Sequence, residues 1–486
     1  VPCEALGKLV LPHVAIREAK VVPAVAVTEK SEAVPAHCRV VATSRPTADS
    51  EIGIVVAIPE GAAWNGRYEQ LGNGGFAGSV YEWAITDSLA HGYATAATDD
   101  GHQSGSPEVS WKDASWAPGH PEKLVDFGYR AIKETTDLAR ALILAHTGGP
   151  AKYSYFHGCS EGGREAFVEA QRYPDDFDGI IAGAPALHWD HLFLGIAWNT
   201  LVQMQTPRSA LPPAKLKAIE AAALEACGDA DGVVQDPPSC HFDPASLRCR
   251  GAETADCLTA PQLEALRKIY QGARDPRTHE QLEAGFEPGA EAEAGGWDPW
   301  IVNKDGPAAA YDQAYAIGFF RDMVFADPKY ELRRLDFSRD PAVVDAKVGA
   351  ILDTNDANLA PFKKSGGKLL QWHGWNDQGI PPRASIEYFD RVQARMGDTA
   401  DFYRLFMLPG VLHCGGGRGA DDAPVRKAIT AWVEQGTPPD QMIATKHAGE
   451  ESTSPVVRRQ LLCPYPRRAV GDACAPPHAL EGKRSR

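Results

Sequence analysis

No apolar run in this 486-residue chain approaches the ~18 residues that a membrane-spanning helix needs, so no membrane partner is expected. Basic residues are in short supply: 49 Lys and Arg stand against 64 Asp and Glu, a formal net charge of -15. Nucleic acid or an anionic membrane surface would call for basic patches that this balance does not favour, which leaves a neutral or apolar small molecule as the easier partner. None of the ten cysteines stands in C-x-x-C spacing, which argues against a cysteine zinc site. The chain starts at Val1 with neither an initiator methionine nor a charged-then-apolar leader, and it is expected to be a mature chain whose signal peptide has been removed. It has no internal repeat and no long low-complexity segment.

What the chain does contain is a nucleophile-like turn. Gly158-Cys159-Ser160-Glu161-Gly162-Gly163 has the form G-x-S-x-G and lies between a strand-like run (Tyr153, Tyr155, Phe156) and a helix-like run over 164–172. Small residues beside a serine let a strained turn push its hydroxyl out above a sheet, so Ser160 is the candidate nucleophile. The same pattern arises by chance in a chain with 46 glycines, and two later stretches supply the weight. His373-Gly374-Trp375-Asn376-Asp377 and Val411-Leu412-His413-Cys414 each close an apolar, strand-like run. Ser, then Asp, then His is the chain order of the α/β-hydrolases. In that reading His413 takes the serine proton and Asp377 orients His413. His157, His373, Asp99 and Asp178 also fall near expected strand ends; His157 is read as packing beneath the turn and His373 as lining the pocket.

The remaining chain fits an α/β-hydrolase core with a large insertion. Residues 1 to about 60 read as short strands, among them an alternating run over 51–58 ended by Pro59. Next, Gly72-Asn73-Gly74-Gly75-Phe76-Ala77-Gly78 is either a tight turn only or the source of one oxyanion-hole amide, from Gly74 or Gly75; the backbone N–H of Glu161 would be the second. A helix is expected from Lys123 to His146, stopped by Gly148-Gly149-Pro150. After Pro185, roughly 180 residues pass before the strand at 368–372, far more than a strand-to-helix connection uses. This stretch is expected to be a lid domain over 188–365, inserted between core parts 1–187 and 366–486; a solvent-facing decoration is the alternative. Its aromatics Trp297, Trp300, Phe319, Phe320 and Phe325 either receive flat aromatic groups or form the lid's own core. The end of the chain reads as basic, cysteine-bearing and irregular.

Ten cysteines is an even count, and Cys227 with Cys240, Cys249 with Cys257 and Cys463 with Cys474 are close pairs, while Cys3 and Cys38 can staple the opening. Disulfides, and therefore a secreted or periplasmic protein, are expected. Cys159 precedes Ser160 and Cys414 follows His413. If serine and histidine touch, these cysteines come within the roughly 7 Å that a disulfide allows. Two buried free thiols are the alternative.

Gly-Cys-Ser-Glu-Gly-Gly-Arg at 158–164, His-Gly-Trp-Asn-Asp at 373–377 and Leu-His-Cys-Gly-Gly-Gly at 412–417 together resemble the tannase and feruloyl esterase family, which also contains the enzyme acting on mono(2-hydroxyethyl) terephthalate. The likeness runs over nearly the whole chain, including 72–78, Gly-Ala-Pro-Ala at 183–186 and Phe-Phe-Arg-Asp-Met-Val-Phe at 319–325. It implies an exported carboxylic ester hydrolase with a lid that cleaves esters of aromatic acids, feruloyl esters first, with gallate esters or a terephthalate monoester as alternatives. It also implies five disulfides: Cys3 with Cys38, Cys159 with Cys414, Cys227 with Cys240, Cys249 with Cys257, and Cys463 with Cys474. The family's lid carries an aspartate-rich calcium loop after its first cysteine. Here that place reads Cys227-Gly228-Asp229-Ala230-Asp231-Gly232-Val233-Val234-Gln235-Asp236, with fewer aspartates. Asp229, Asp231 and the Val233 carbonyl could supply part of the six to eight oxygens that calcium wants, and a loop held only by its disulfide is equally open. No cofactor is expected for catalysis. A serine amidase or peptidase on the same scaffold and a catalytically dead binding module are the rival readings.

Overall fold

Short runs of β-branched and small apolar residues dictate strands buried on both faces. In β3 (Ile52–Pro59) successive side chains point to opposite sides. Ile54, Val56 and Ile58 join one core with Leu138 and Leu142, while Val55 and Ala57 join another with Ile85 and Leu89. The computed structural model describes residues 1–26, 33–104, 111–449 and 454–476. Nine of its strands form one sheet: β1 (Val14–Val22), β2 (His37–Ser44), β3, β4 (Arg67–Leu71), β5 (Ala94–Thr98), β6 (Tyr153–Cys159), β7 (Gly179–Gly183), β8 (Lys368–Gly374) and β9 (Tyr403–Leu408), in the order β1-β2-β3-β5-β4-β6-β7-β8-β9. β1, β2, β3 and β5 pair antiparallel, and every pair from β5 onward is parallel. This is an α/β-hydrolase sheet.

Parallel pairs need crossovers, which helices supply. The helix Ala131–Thr147 leads into β6 and ends on Gly148 in the left-handed region. The helix Glu161–Arg172 follows β6, Pro382–Met396 follows β8, and Val425–Gln435 follows β9. The carboxyl ends of the parallel strands, where such sheets place their ligands, therefore gather the loops after β4, β6, β8 and β9.

Among the described residues, the segment between β7 and β8 adds no strand to this sheet. It folds as helices, including Trp189–Gln203, Leu216–Cys227, Ala260–Gln271 and Tyr311–Ile317. Leu216, Ile219, Leu263, Leu266, Ile269, Trp297 and Ile301 give it a core of its own. A second cluster, with Phe76, Phe127, Trp189, Phe193, Phe319 and Phe320, welds it to the sheet's loops.

Both chain ends depart from the sequence reading. The opening starts with a helical turn, Cys3–Leu6, before β1. The final segment is ordered rather than irregular: β10 (Met442–His447) pairs with β11 (Val456–Leu462), and β12 (Arg468–Val470) pairs with β13 (Ala473–Ala475). Met442, Ala444 and Leu462 bury against Phe406, Leu408 and Trp432, a long-range contact that composition cannot reveal. The basic end, 477–486, lies outside the described residues. All ten cysteines are paired, as Cys3–Cys38, Cys159–Cys414, Cys227–Cys240, Cys249–Cys257 and Cys463–Cys474. Among the described residues, no helix is long and apolar enough to cross a membrane.

Candidate active site

The turn between β6 and its helix forces Ser160 to φ 68°, a left-handed conformation that a serine adopts only when its surroundings compel it. Those surroundings are glycines. A Cβ at Gly158 would lie 2.2 Å from the Gly162 carbonyl oxygen, and one at Gly163 would lie 2.3 Å from that of Gly183. The strained turn presents Ser160 Oγ to His413, whose Nε2 is 2.8 Å away.

The loops after β8 and β9 are tied by backbone bonds from Trp375 to Leu408 and from Asn376 to Val411. They bring His413 Nδ1 to 3.0 and 2.8 Å from the two oxygens of Asp377. Asp377 is buried and also accepts from the amides of Gly379 and Ile380, both at 2.8 Å, and from His373 Nε2 at 3.1 Å. Burial alone would push this carboxyl up, but the imidazoles of His413 and His373 outweigh it and hold Asp377 well below the usual carboxylate range. Cys159 and Cys414 are bonded with Cα atoms 6.0 Å apart, so a covalent link crosses from the serine turn to the histidine loop.

His373 does not line the pocket. It is fully buried behind Asp377, its other ring nitrogen 2.7 Å from Ser385 Oγ, where it braces the carboxylate. His157 is only half-buried, with Nδ1 3.4 Å from Glu69, and faces the open cleft rather than packing beneath the turn. Asp178 caps the far end of β6 through the Ser154 amide. Asp99 caps Gly53 and Gly101; burial pushes it up to about 7 despite those amides.

Of the two candidate glycine donors, Gly74 has its N–H taken by Asn73 Oδ1 at 2.9 Å, so it drops out. Gly75 (φ 60°) and Glu161 line the cavity with Ser160, and neither backbone N–H has a hydrogen-bond partner among the described residues. A Cβ at Gly75 would sit 2.2 Å from the Trp111 carbonyl oxygen, which demands glycine. Asn73 N–H in turn donates to Glu165, and Glu165 lies with Asp100 and Glu161 in a buried carboxyl cluster. Burial pushes Asp100 and Glu165 well above the usual range, and Glu161 upward. Arg164, itself fully buried, answers this cluster. It pairs with Glu161, donates to the Gly128, Phe127 and Leu352 carbonyls, and lies beside the Phe127 and Trp189 rings, 5.2 and 5.3 Å from their centroids.

Two spaces meet at Ser160. A narrow cavity of about 40 Å³ is walled by Trp189, Leu192, Phe193, Ile196, Trp300 and Tyr315, with Asp312 as its buried carboxyl. Desolvation pushes Asp312 up to about 8, against one donor, Asn199 Nδ2 at 3.0 Å. On the other side lies a broad cleft of about 570 Å³ edged by Tyr81, Trp83, His157, Trp372 and Arg426. Of the five aromatics singled out from the sequence, Trp300 alone reaches the cavity. Trp297, Phe319 and Phe320 are core, and Phe325 stacks on Tyr330. The reading missed Trp189 and Phe193, on the largely buried helix Trp189–Gln203, and Tyr315 and Asp312, on the separate helix Tyr311–Ile317; neither helix carries a sequence motif that marks these positions.

The 227–240 loop does not fit a calcium ion. Asp229 Oδ1 accepts from the amides of Asp231 and Val233, and its Oδ2 accepts from Gln235. The Val233 carbonyl accepts from Asp229 N–H, Asp231 points to solvent toward Arg458, and Asp236 pairs with Arg468. Asp229 and the Val233 carbonyl close the loop while Asp231 and Asp236 turn away toward arginines, so the oxygens gathered at one point fall short of the six to eight that calcium wants.

A family model described as tannase and feruloyl esterase matches residues 38–475. An uncharacterised esterase of Xanthomonas campestris is 40% identical over 513 residues, covering 96% of this chain and 88% of that protein. A mono(2-hydroxyethyl) terephthalate hydrolase of Piscinibacter sakaiensis is 30% identical over 539 residues, covering 96% and 88%. The solved structure of feruloyl esterase B from Aspergillus oryzae superposes with a TM-score of 0.84 at 25% identity, covering 97% of this chain and 99% of that one. With an α/β-hydrolase sheet, a match across almost its full length and these relatives, the chain belongs to the tannase and feruloyl esterase family and is a carboxylic ester hydrolase.

Proposed function

We propose that the protein cleaves esters of aromatic acids through an acyl-enzyme on Ser160, with feruloyl-type esters preferred. The observation that carries this reading is the contact of His413 Nε2 with Ser160 Oγ at 2.8 Å, Asp377 on the other ring nitrogen, at the mouth of a narrow aromatic cavity. His413 takes the serine proton as Oγ attacks the ester carbonyl, and Asp377 holds the resulting imidazolium. The N–H groups of Gly75 and Glu161 receive the oxyanion; each such donor contributes about 3 kcal/mol. His413 then protonates the leaving alcohol, which departs through the broad cleft. Water, activated by the same histidine, releases the acid.

A flat acyl ring would enter beside Trp300 and Tyr315, which line both spaces, with the narrow cavity of about 40 Å³ opening to take it and neutral Asp312 able to donate to a ring substituent. The wide cleft suits a bulkier alcohol. The segment carrying Trp189, Trp300 and Tyr315 then acts as a lid over the site. Five disulfides support residence in an oxidising compartment, secreted or periplasmic.

The deciding experiment compares methyl ferulate, methyl gallate, mono(2-hydroxyethyl) terephthalate and an aliphatic p-nitrophenyl ester with wild type and Ser160→Ala. Turnover of the ferulate that vanishes in the variant is expected. Preference for the gallate or the terephthalate monoester would move the acyl group to the second reading, and activity on the aliphatic ester alone would remove the aromatic class.

A further inference from the structure

Asp100 follows β5, and Glu161 and Glu165 stand one turn apart on the helix after β6. All three are buried, and one carboxyl oxygen from each lies within 4.8 Å of the others. Arg164 answers Glu161 through Nε at 3.1 Å and Nη2 at 2.5 Å, and it also donates to the carbonyls of Gly128, Leu352 and Phe127. Asp100 and Glu165 are left without a cation of their own. Both oxygens of Asp100 and Oε1 of Glu165 are shut off from solvent with no hydrogen-bond partner among the described residues. Two neighbouring carboxylates do not both ionise in such a place, whereas one proton between them satisfies both. Asp100 is also held at φ 60°, a left-handed conformation that persists only where the surroundings impose it.

The other oxygen of Glu165 reaches the oxyanion loop. Oε2 accepts the Asn73 N–H at 2.8 Å, the Asn73 carbonyl accepts the Gly162 N–H at 2.9 Å, and Asn73 Oδ1 accepts the Gly74 N–H at 2.9 Å. Gly75 comes next in the chain. Nothing soft separates this loop from the helix: a Cβ on Gly72 would lie 2.6 Å from Gly162 Cα and 2.9 Å from Glu165 Oε2. Movement of the Glu165 carboxyl is therefore passed on to the loop.

We propose that Asp100 and Glu165 share a single proton and act as a positioning pair for the oxyanion hole, fixing the Gly75 and Glu161 amides relative to each other. This role rests on the serine mechanism proposed above, because only an oxyanion needs those amides. With the proton in place, an O–H···O⁻ bond joins the loop after β5 to the helix. Its loss sets two carboxylates against each other, with Glu161 and Asp99 adding like charge and Arg164 the opposing cation; Tyr81 and Glu169 also face the pair. Burial pushes both carboxyls well above their usual range, so the proton stays at neutral pH and leaves on the alkaline side, from the pair rather than from either residue. The pair then splays, Asn73 moves with Glu165, and the two amides lose their aim.

The test follows an aliphatic p-nitrophenyl ester, itself uncharged, from about pH 6 to 10, with Ser160→Ala as the blank. In wild type kcat is expected to fall at least about threefold toward the alkaline end while KM holds. Glu165→Gln keeps an acceptor for Asn73 and offers Asp100 a donor that does not titrate, so its kcat should stay level. Glu165→Leu removes both contacts and should lower kcat at least about tenfold near pH 6 with KM little changed. A second readout needs no turnover and no Leu variant. The folded pair holds a proton that the unfolded chain gives up near about pH 4, so stability falls as pH rises above that value. Between about pH 6 and 9 the melting temperature should therefore drop less in Glu165→Gln than in wild type. The same kcat profile in wild type and Glu165→Gln, or equal drops in melting temperature, would overturn the shared proton. Loss of all Ser160-dependent turnover would instead sink the serine mechanism and the positioning role with it, and the melting series would still judge the proton.

Discussion

Asp377 shows how a side chain is tuned by neighbours that it cannot choose from its own sequence position. Four donors converge on it, and Asp377→Asn would keep the shape while presenting His413 with the wrong partner; kcat should fall on the order of 10⁴-fold with KM little changed, read from initial rates on the preferred ester. Asp312 is the opposite case, a carboxyl kept neutral by burial at about 8. Its folded-state value lies above the unfolded one, so the folded state holds the extra proton between about pH 4 and 8, and stability falls as pH rises through that window at up to about 1.4 kcal/mol per pH unit. Urea unfolding at pH 5 and pH 8 should therefore show a smaller loss in Asp312→Asn than in wild type. Ser160, His413 and Asp377 were legible in the sequence because each sits in a short motif at a strand end. The choice of Gly75 over Gly74 was not, since an Asn73 side chain decides it.

The helix Glu161–Arg172, which follows the Ser160 turn, is an element whose charges run inward. Arg164 ties it to the turn at 126–130 and to the end of the inserted segment, and it is the cation set against Glu161. Arg164→Met removes that cation and leaves buried carboxyls uncompensated, so chemical denaturation should report a loss of about 3–5 kcal/mol. The Cys159–Cys414 bond joins the Ser160 turn to the histidine loop across 255 residues. Replacing both cysteines by serine should cost about 2–5 kcal/mol of stability and lower kcat more than it raises KM, because the base loses its tether to the nucleophile. The strands and the helix stopped at Gly148 were readable from period and punctuation. The β10–β11 and β12–β13 hairpins were not, since their apolar residues are few and gain meaning only against Phe406 and Trp432.

At the scale of the whole molecule the surplus of acid matters. A net charge of -15 repels an anionic substrate over a screening length of about 10 Å at 0.1 M salt. Accordingly kcat/KM for mono(2-hydroxyethyl) terephthalate, which carries a carboxylate, should rise with ionic strength, while that for neutral methyl ferulate stays flat; parallel salt series measure both. The insertion was visible in the sequence as length alone, because a strand-to-helix connection has no use for so many residues. The sequence by itself determined the hydrolase order of serine, acid and base, the strands that carry them and the cysteines to be joined, because those signals are local and periodic. Only the tertiary structure decided which aromatics line the cavity at Ser160, which glycine amide is free, that His373 braces Asp377, and that the two ends of the insertion meet, with His188 Nε2 3.6 Å from Asp353 Oδ2. Some depend on contacts between residues far apart in the chain and others on which way a neighbouring side chain turns, as Asn73 does toward Gly74; in each, burial rather than residue type sets the chemistry.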